Sequence, residues 1–134
     1  MTARELAMRF EGLRLKAYQD SAGFWTIGYG HRCSDHQPPI TEDEAHDLLE
    51  ADLKIATTGA LTCCPKITGG VLEALTDFVF NLGTKRLEHS TLRVAVNNRD
   101  WPEARKQIRK WVYAGGEVLP GLVHRRDAEA ELIS

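Results

Sequence analysis

Phe10-Glu11-Gly12-Leu13-Arg14-Leu15-Lys16-Ala17-Tyr18-Gln19-Asp20-Ser21-Ala22-Gly23-Phe24-Trp25-Thr26-Ile27-Gly28-Tyr29-Gly30-His31 is the stretch in which the hydrophobic period of the chain switches from helix to strand. Just upstream, Leu6 and Phe10 share a helical face with Ala3 and Ala7, which predicts a short helix over Ala3–Glu11 stopped by Gly12. Beyond Gly12 the period becomes two. Leu13, Leu15 and Ala17 alternate with Arg14, Lys16 and Tyr18, and Ser21-Ala22-Gly23 supplies turn chemistry. Phe24-Trp25-Thr26-Ile27 then reads as the returning strand, while Gly28 and Gly30 leave the backbone open to close approach.

This local structure sets three polar side chains in different settings. Glu11 falls in the last turn of the helix, where the negative end of the helix dipole disfavours a charged carboxylate. Asp20 falls at the hairpin turn and Thr26 on the returning strand, so the hairpin brings them together. Two carboxylates in unlike environments suit acid–base cleavage of a glycosidic bond, one giving a proton and the other handling water. Taken singly, each also fits a plainer role: a helix-end glutamate, a turn aspartate and a β-branched strand residue.

Downstream, Arg32 to Pro39 reads as irregular, and Thr41-Glu42-Asp43-Glu44 as a capping box opening a helix. Ala45, Leu48, Leu49, Leu53 and Ala56 form its apolar stripe, and the pattern predicts that it fades at Thr57-Thr58-Gly59. Residues 60–70 read as a second irregular stretch. Val71, Leu72, Leu75, Phe78, Val79 and Leu82 make the strongest apolar stripe, ending at Gly83 and wide enough for a helix buried on most sides. Ser90 caps a short helix with Leu92, Ala95 and Val96 inward. Asp100 caps another that carries Trp101, Ala104, Ile108, Trp111 and Val112 to Gly115-Gly116, and Pro120 opens a last helix through Leu132. The expected class is α+β in one 134-residue domain: a small β-containing lobe over about 12–59, a larger helical lobe over 1–11 and 60–134, and a cleft between them.

Composition narrows the function. With 43% hydrophobic and 27% charged residues the chain is an ordinary globular protein, and no run approaches the ~18 apolar residues of a membrane span. Stable membrane association is therefore not expected. Residues 1–83 hold 7 Lys/Arg against 12 Asp/Glu, whereas residues 84–134 hold 10 against 7. The basic C-terminal part suits either an anionic polymer or the solvated faces of ordinary helices. Its cations are not interleaved with aromatics in a stripe, so nucleic acid is not an expected partner. Cys33, Cys63 and Cys64 are odd in number with two adjacent, which fits ordinary thiols; neither a metal site nor any cofactor is expected. No basic start followed by an apolar block marks an export signal.

Read in order, Phe10-Glu11-Gly12, Asp20-Ser21-Ala22-Gly23, Thr26-Ile27-Gly28-Tyr29-Gly30-His31, Ile40-Thr41, Phe80-Asn81-Leu82-Gly83, Ser90-Thr91-Leu92 and Gly115-Gly116 through Leu119-Pro120-Gly121-Leu122 to Arg125-Arg126 resemble the phage-type lysozymes, or endolysins, of glycoside hydrolase family 24. Any one piece is weak; the ordered set covers nearly the whole chain. The resemblance implies a lysozyme-like fold and hydrolysis of the β-1,4 bond between N-acetylmuramic acid and N-acetylglucosamine in bacterial peptidoglycan. Glu11 would be the general acid, Asp20 would orient or activate the attacking water, and Thr26 would hold it. Inversion follows, with carboxyl groups about 6.5–9.5 Å apart.

The same resemblance places Gly30, Arg32, Phe80, Asn81, Ser90 and Thr91 along the cleft, and offers Arg125 or Arg126 as a partner for Glu11. Phe80 is equally a sugar-stacking or a core residue, and His31 is expected to anchor the hairpin. Arg32–Pro39 and Ala60–Gly70 depart from the family's usual text. The implied enzyme is a monomer made in the cytoplasm of a bacterial host and released to the wall. A non-catalytic wall-binding module and a lytic transglycosylase are the alternatives.

Overall fold

The computed structural model describes all 134 residues. Its elements run α1 (Ala3–Glu11), β1 (Arg14–Gln19), β2 (Trp25–Gly28), β3 (His31–Arg32), α2 (Glu42–Cys63), α3 (Gly69–Leu82), α4 (Thr84–Glu88), α5 (Thr91–Asn97), α6 (Trp101–Ile108), β4 (Tyr113–Ala114), β5 (Glu117–Val118) and α7 (Pro120–Glu131). The class is α+β, as the change of period predicts. Thr2 caps α1 by accepting from Glu5 N–H, and Gly12 ends it at φ 72° while its N–H returns to Met8.

The first three strands form an antiparallel sheet in the order β1-β2-β3. Tyr18 pairs with Thr26 and Gln19 with Trp25, and Thr26 pairs with Arg32 on the far side. The β1 ladder shifts register between Arg14 and Tyr18, and the alternating residues of β1 are exposed or half-buried. The sheet is thus a small outer layer, buried along Thr26, Ile27 and Gly28 of its central strand and at Tyr29 just after it.

Helix α2 differs from the expectation. The capping box at Thr41 and Glu44 is present, but the helix continues past Gly59 to Cys63. Thr57 and Thr58, which suggest a fading helix, return their hydroxyls to the carbonyls of Leu53 and Lys54 one turn back, and Thr62 does the same to Thr58. Gly59 serves packing: a Cβ there would run into Thr84 Oγ1. A 22-residue helix therefore crosses the expected lobe boundary. Its first half joins Ala3, Ala7 and Tyr29 in a small core through Ala45, Leu49 and Leu53. Its second half enters a larger core through Ala56, Ala60 and Cys63.

The larger core surrounds α3, whose Leu75 and Phe78 are fully buried, each contributing about 1.5–3 kcal/mol of hydrophobic stabilisation. The caps expected at Ser90 and Asp100 are in place. Helix α6, however, stops at Ile108 instead of running on to Val112. A hairpin pairing Tyr113 with Val118 follows, and Gly115 and Gly116 (φ 59° and 81°) form its turn, a geometry glycine adopts without strain. Trp111 still reaches the core, meeting Phe78 edge-on at 5.5 Å. No helix is long and apolar enough to cross a membrane.

Candidate active site

Between sheet and helices lies an open cavity of about 570 Å³. Glu11, from the end of α1, Asp20, from the hairpin turn, and Thr26, from β2, all line it. Gly30, Arg32, Phe80 and Asn81 line it as well, with Tyr18, His31 and Asp52.

Each of the three reacting candidates is held by its local fold. Asp20 Oδ1 accepts from the N–H groups of Ala22 and Phe24, both at 2.9 Å, so the turn itself orients the carboxylate. Thr26 is buried, and its hydroxyl donates to the Phe24 carbonyl at 3.0 Å, leaving its lone pairs as acceptors. Glu11 Oε2 accepts from Arg125 Nη1 at 2.5 Å. The other oxygen, Oε1, sits against Gly30 so closely that a Cβ there would approach it to 2.6 Å. Gly30 at φ 74° thus makes room for the acid as well as the backbone turn.

Of the two arginines offered as partners for Glu11, only Arg125 pairs with it. Arg126 instead donates to Asn81 Oδ1 at 2.6 Å and pairs with Glu129, 3.0 Å away. Burial alone would pull Arg125 toward neutrality. The hydrogen bonds and negative charges of Asp77 and Glu11 outweigh it, and the guanidinium is held firmly protonated. Tyr18 is raised above the ordinary phenol value by burial first, then by the charges of Glu11 and Asp20 against that of Arg14.

The walls are fixed too. His31 Nδ1 is 2.7 Å from Asp52 Oδ2, tying β3 to α2, so the histidine anchors the sheet to a helix. Arg32 lies over the Phe24 ring at 3.8 Å and reaches the cavity from the sheet side. Phe80 is half-buried, packs against both cores and still faces the cavity. Ser90 and Thr91 do not line the cavity. Ser90 is buried as the cap of α5 and donates back to the Leu87 carbonyl, so it serves the join between α4 and α5, while Thr91 donates to Gln107 at 2.7 Å and ties α5 to α6.

Comparison with known proteins gives the family. The Phage lysozyme family model matches residues 8–129. The chain belongs to the phage lysozyme family. It is similar to the endolysin of Acyrthosiphon pisum secondary endosymbiont phage 1, at 38% identity over 134 residues, 95% of this chain and 91% of that protein. Against the endolysin of Bacillus phage B103 the identity is 37% over 132 residues, and this chain spans 50% of that protein's length. Among solved structures, the muramidase domain of SpmX from Asticaccaulis excentricus superposes with a TM-score of 0.87 at 31% identity, covering 98% of this chain and 93% of that one. As a phage lysozyme the chain is a glycoside hydrolase with the lysozyme-like fold.

Two buried acids of this lysozyme escape a reading by motif. Asp77 of α3 and Glu129 of α7 are both fully buried behind Glu11. Burial alone would raise Asp77, but hydrogen bonds from Arg125 and Glu129, with the charges of Arg125 and Arg126, hold it below the ordinary carboxylate range. Burial, then the hydrogen bond to Asp77, pushes Glu129 well above that range against the pull of Arg126. The available signal was an aspartate, between Thr76 and Phe78, inside the most apolar stripe of the chain.

Proposed function

We propose that this chain hydrolyses the β-1,4 bond between N-acetylmuramic acid and N-acetylglucosamine of bacterial peptidoglycan, acting on the wall as an inverting endolysin. The carrying observation is the convergence of Glu11, Asp20 and Thr26 on one open cavity from three different elements. Arg125 occupies Glu11 Oε2, so Oε1 is the oxygen left to carry a transferable proton. Glu11 gives that proton to the glycosidic oxygen as the C1–O bond breaks. A water between Asp20 and Thr26 attacks C1 from the opposite face, and Asp20 takes up its proton. Exchange with solvent then restores both carboxyls. Thr26 is far too weak an acid to replace either, so it places the water.

Gly30, Arg32, Phe80 and Asn81 form the binding walls in this reading. Phe80 offers a ring face to a sugar, and Arg32 offers a cation to the carboxylates of the wall. The two carboxyls and the hydroxyl carry the reaction by acid–base chemistry.

Mass spectrometry of fragments released from purified walls tests the assignment. Hydrolysis leaves a reducing end that is one water heavier than the anhydro end left by a transglycosylase. Anhydro products, or binding to walls without release of fragments, would replace this reading with one of its alternatives.

A further inference from the structure

Asp77 is a fully buried carboxylate in the middle of the most apolar helix, and none of the proton transfers at Glu11 and Asp20 involves it. Both of its oxygens accept from Arg125: Oδ2 from Nε at 2.9 Å and Oδ1 from Nη2 at 2.8 Å. That occupies two of the three guanidinium nitrogens. The third, Nη1, is the one that meets Glu11 Oε2. A planar guanidinium gripped at two nitrogens by one carboxylate has little freedom to turn, so the direction of Nη1 is set from α3. Glu129 of α7 is also fully buried, and the two buried acids shift one another's protonation.

We propose that Asp77 is a positioning residue for the proton donor, aiming Arg125 at Glu11 and sharing that cation between two carboxylates. The proposal rests on the reading of Glu11 as general acid. A donor needs its protonated form to be accessible. An arginine whose full charge fell on Glu11 would hold the carboxylate ionised; one already neutralised in large part by Asp77 orients Glu11 at a smaller electrostatic cost. The other groups facing Glu11 are Arg126 from α7, Tyr18 from β1 and Asp20 from the hairpin turn. Among the carboxylates of the site, only Asp77 grips the same guanidinium from behind.

The test is Asp77→Asn, which keeps the shape and removes the charge. The alkaline limb of the pH–activity profile on soluble peptidoglycan fragments moves down by about one pH unit. In the same variant kcat near neutral pH falls roughly tenfold, with KM within about twofold of wild type. Carbon-detected NMR of the labelled Glu11 carboxyl, assigned with Glu11→Gln, shows its titration midpoint moving in the same direction. If the amide is not tolerated, Asp77→Ser leaves a small polar group and gives shifts of the same sign. A fall in activity or stability with the limb and the NMR midpoint at their wild-type positions makes Asp77 merely structural and overturns the proposal. The NMR measurement needs no substrate. Wild-type protein that leaves walls uncut therefore counts against the hydrolase reading while the coupling of Asp77 to Glu11 is still read.

Discussion

Arg125 and Glu11 meet at 2.5 Å across 114 residues of sequence, joining the last helix to the end of the first where Glu11 lines the cavity. The arginine side chain is 4% exposed, and its charge is also held by Asp77, so α7 is locked to two helices by one guanidinium. A buried cation with two partners keeps one when the other is neutralised, which separates chemistry from folding at this position.

Glu11→Gln therefore removes the proton donor while an amide oxygen still accepts from Arg125. Clearing of a wall suspension falls by roughly 10²–10⁴-fold. The far-UV circular dichroism is unchanged, and the unfolding free energy drops by less than about 2 kcal/mol. Clearing at a near wild-type rate would remove Glu11 from the reaction.

Gly30→Ala acts on the same acid from the other side. The new Cβ would stand 2.6 Å from Glu11 Oε1, at a backbone φ of 74° that alanine adopts poorly. The carboxyl must shift, and displacement of a reacting group by about 1 Å costs on the order of 10²-fold in rate. The strained backbone takes a further ~1–2 kcal/mol from stability. Both are read from one preparation, by fragment release and by urea unfolding. A variant with full activity would show that Glu11 is not held against this glycine during turnover.

Glu129→Gln tests the buried acids through pH. Glu129 is held well above its ordinary value of 4.5 by burial and by Asp77, so the folded state binds its proton more tightly than the unfolded chain does. Its contribution is full below 4.5 and is lost as pH rises through the folded-state value. Asp77 has the opposite sign: held below its ordinary 3.8, it contributes above that value and loses the contribution as pH falls. The amide of the variant mimics the protonated acid at every pH. Urea midpoints measured across pH show wild type losing stability toward alkaline pH and the variant losing less, with the acid side alike in both. Parallel profiles would mean that Glu129 exchanges no proton on unfolding in that range.

The three thiols separate by burial. Cys64 is fully buried and its thiol is pushed up to about 11, by burial first and then by Cys63, while Cys63 is also buried. Cys33 is half-buried on the loop after β3. A mass-counted maleimide reaction near neutral pH labels one cysteine in the native protein and three after denaturation. Rapid labelling of all three in native protein contradicts the packing of Cys63 and Cys64 in the larger core.

Much of this was legible along the chain, for reasons that differ by element. The ends of α1, α3, α5 and α7 could be read because a cap, a proline or a glycine marks them, and the hairpin that positions Asp20 because its period differs from what surrounds it. The end of α2 was not legible: Thr57, Thr58 and Gly59 carry breaker chemistry, but neighbouring carbonyls and Thr84 decide their state. The β4–β5 hairpin was hidden by Trp111 and Val112, which continue the apolar pattern of α6 after the helix has ended. In the site, local motifs pointed to Glu11, Asp20 and Thr26. The choice of Arg125 over Arg126 depends on which face of α7 meets α1 and α3, a tertiary fact.

Gly59→Ala turns one of those differences into a measurement. In an isolated helix the substitution stabilises by about 1 kcal/mol, because alanine loses less conformational freedom than glycine. Here the added Cβ would overlap Thr84 Oγ1 and stand 3.3 Å from Thr84 Cγ2, and Thr84 is a β-branched residue at the start of α4 with little room to turn. Overpacking of this kind costs ~1–3 kcal/mol, so Gly59→Ala is expected to be destabilising on balance. Adding Thr84→Ala removes the clashing hydroxyl, and the double variant recovers part or all of the loss. Because Thr84 also lines the cavity, the single variant lowers fragment release more than its stability loss explains. Urea unfolding of the single and double variants decides the point: a Gly59→Ala protein at least as stable as wild type would show that α2 and α4 do not pack at this glycine.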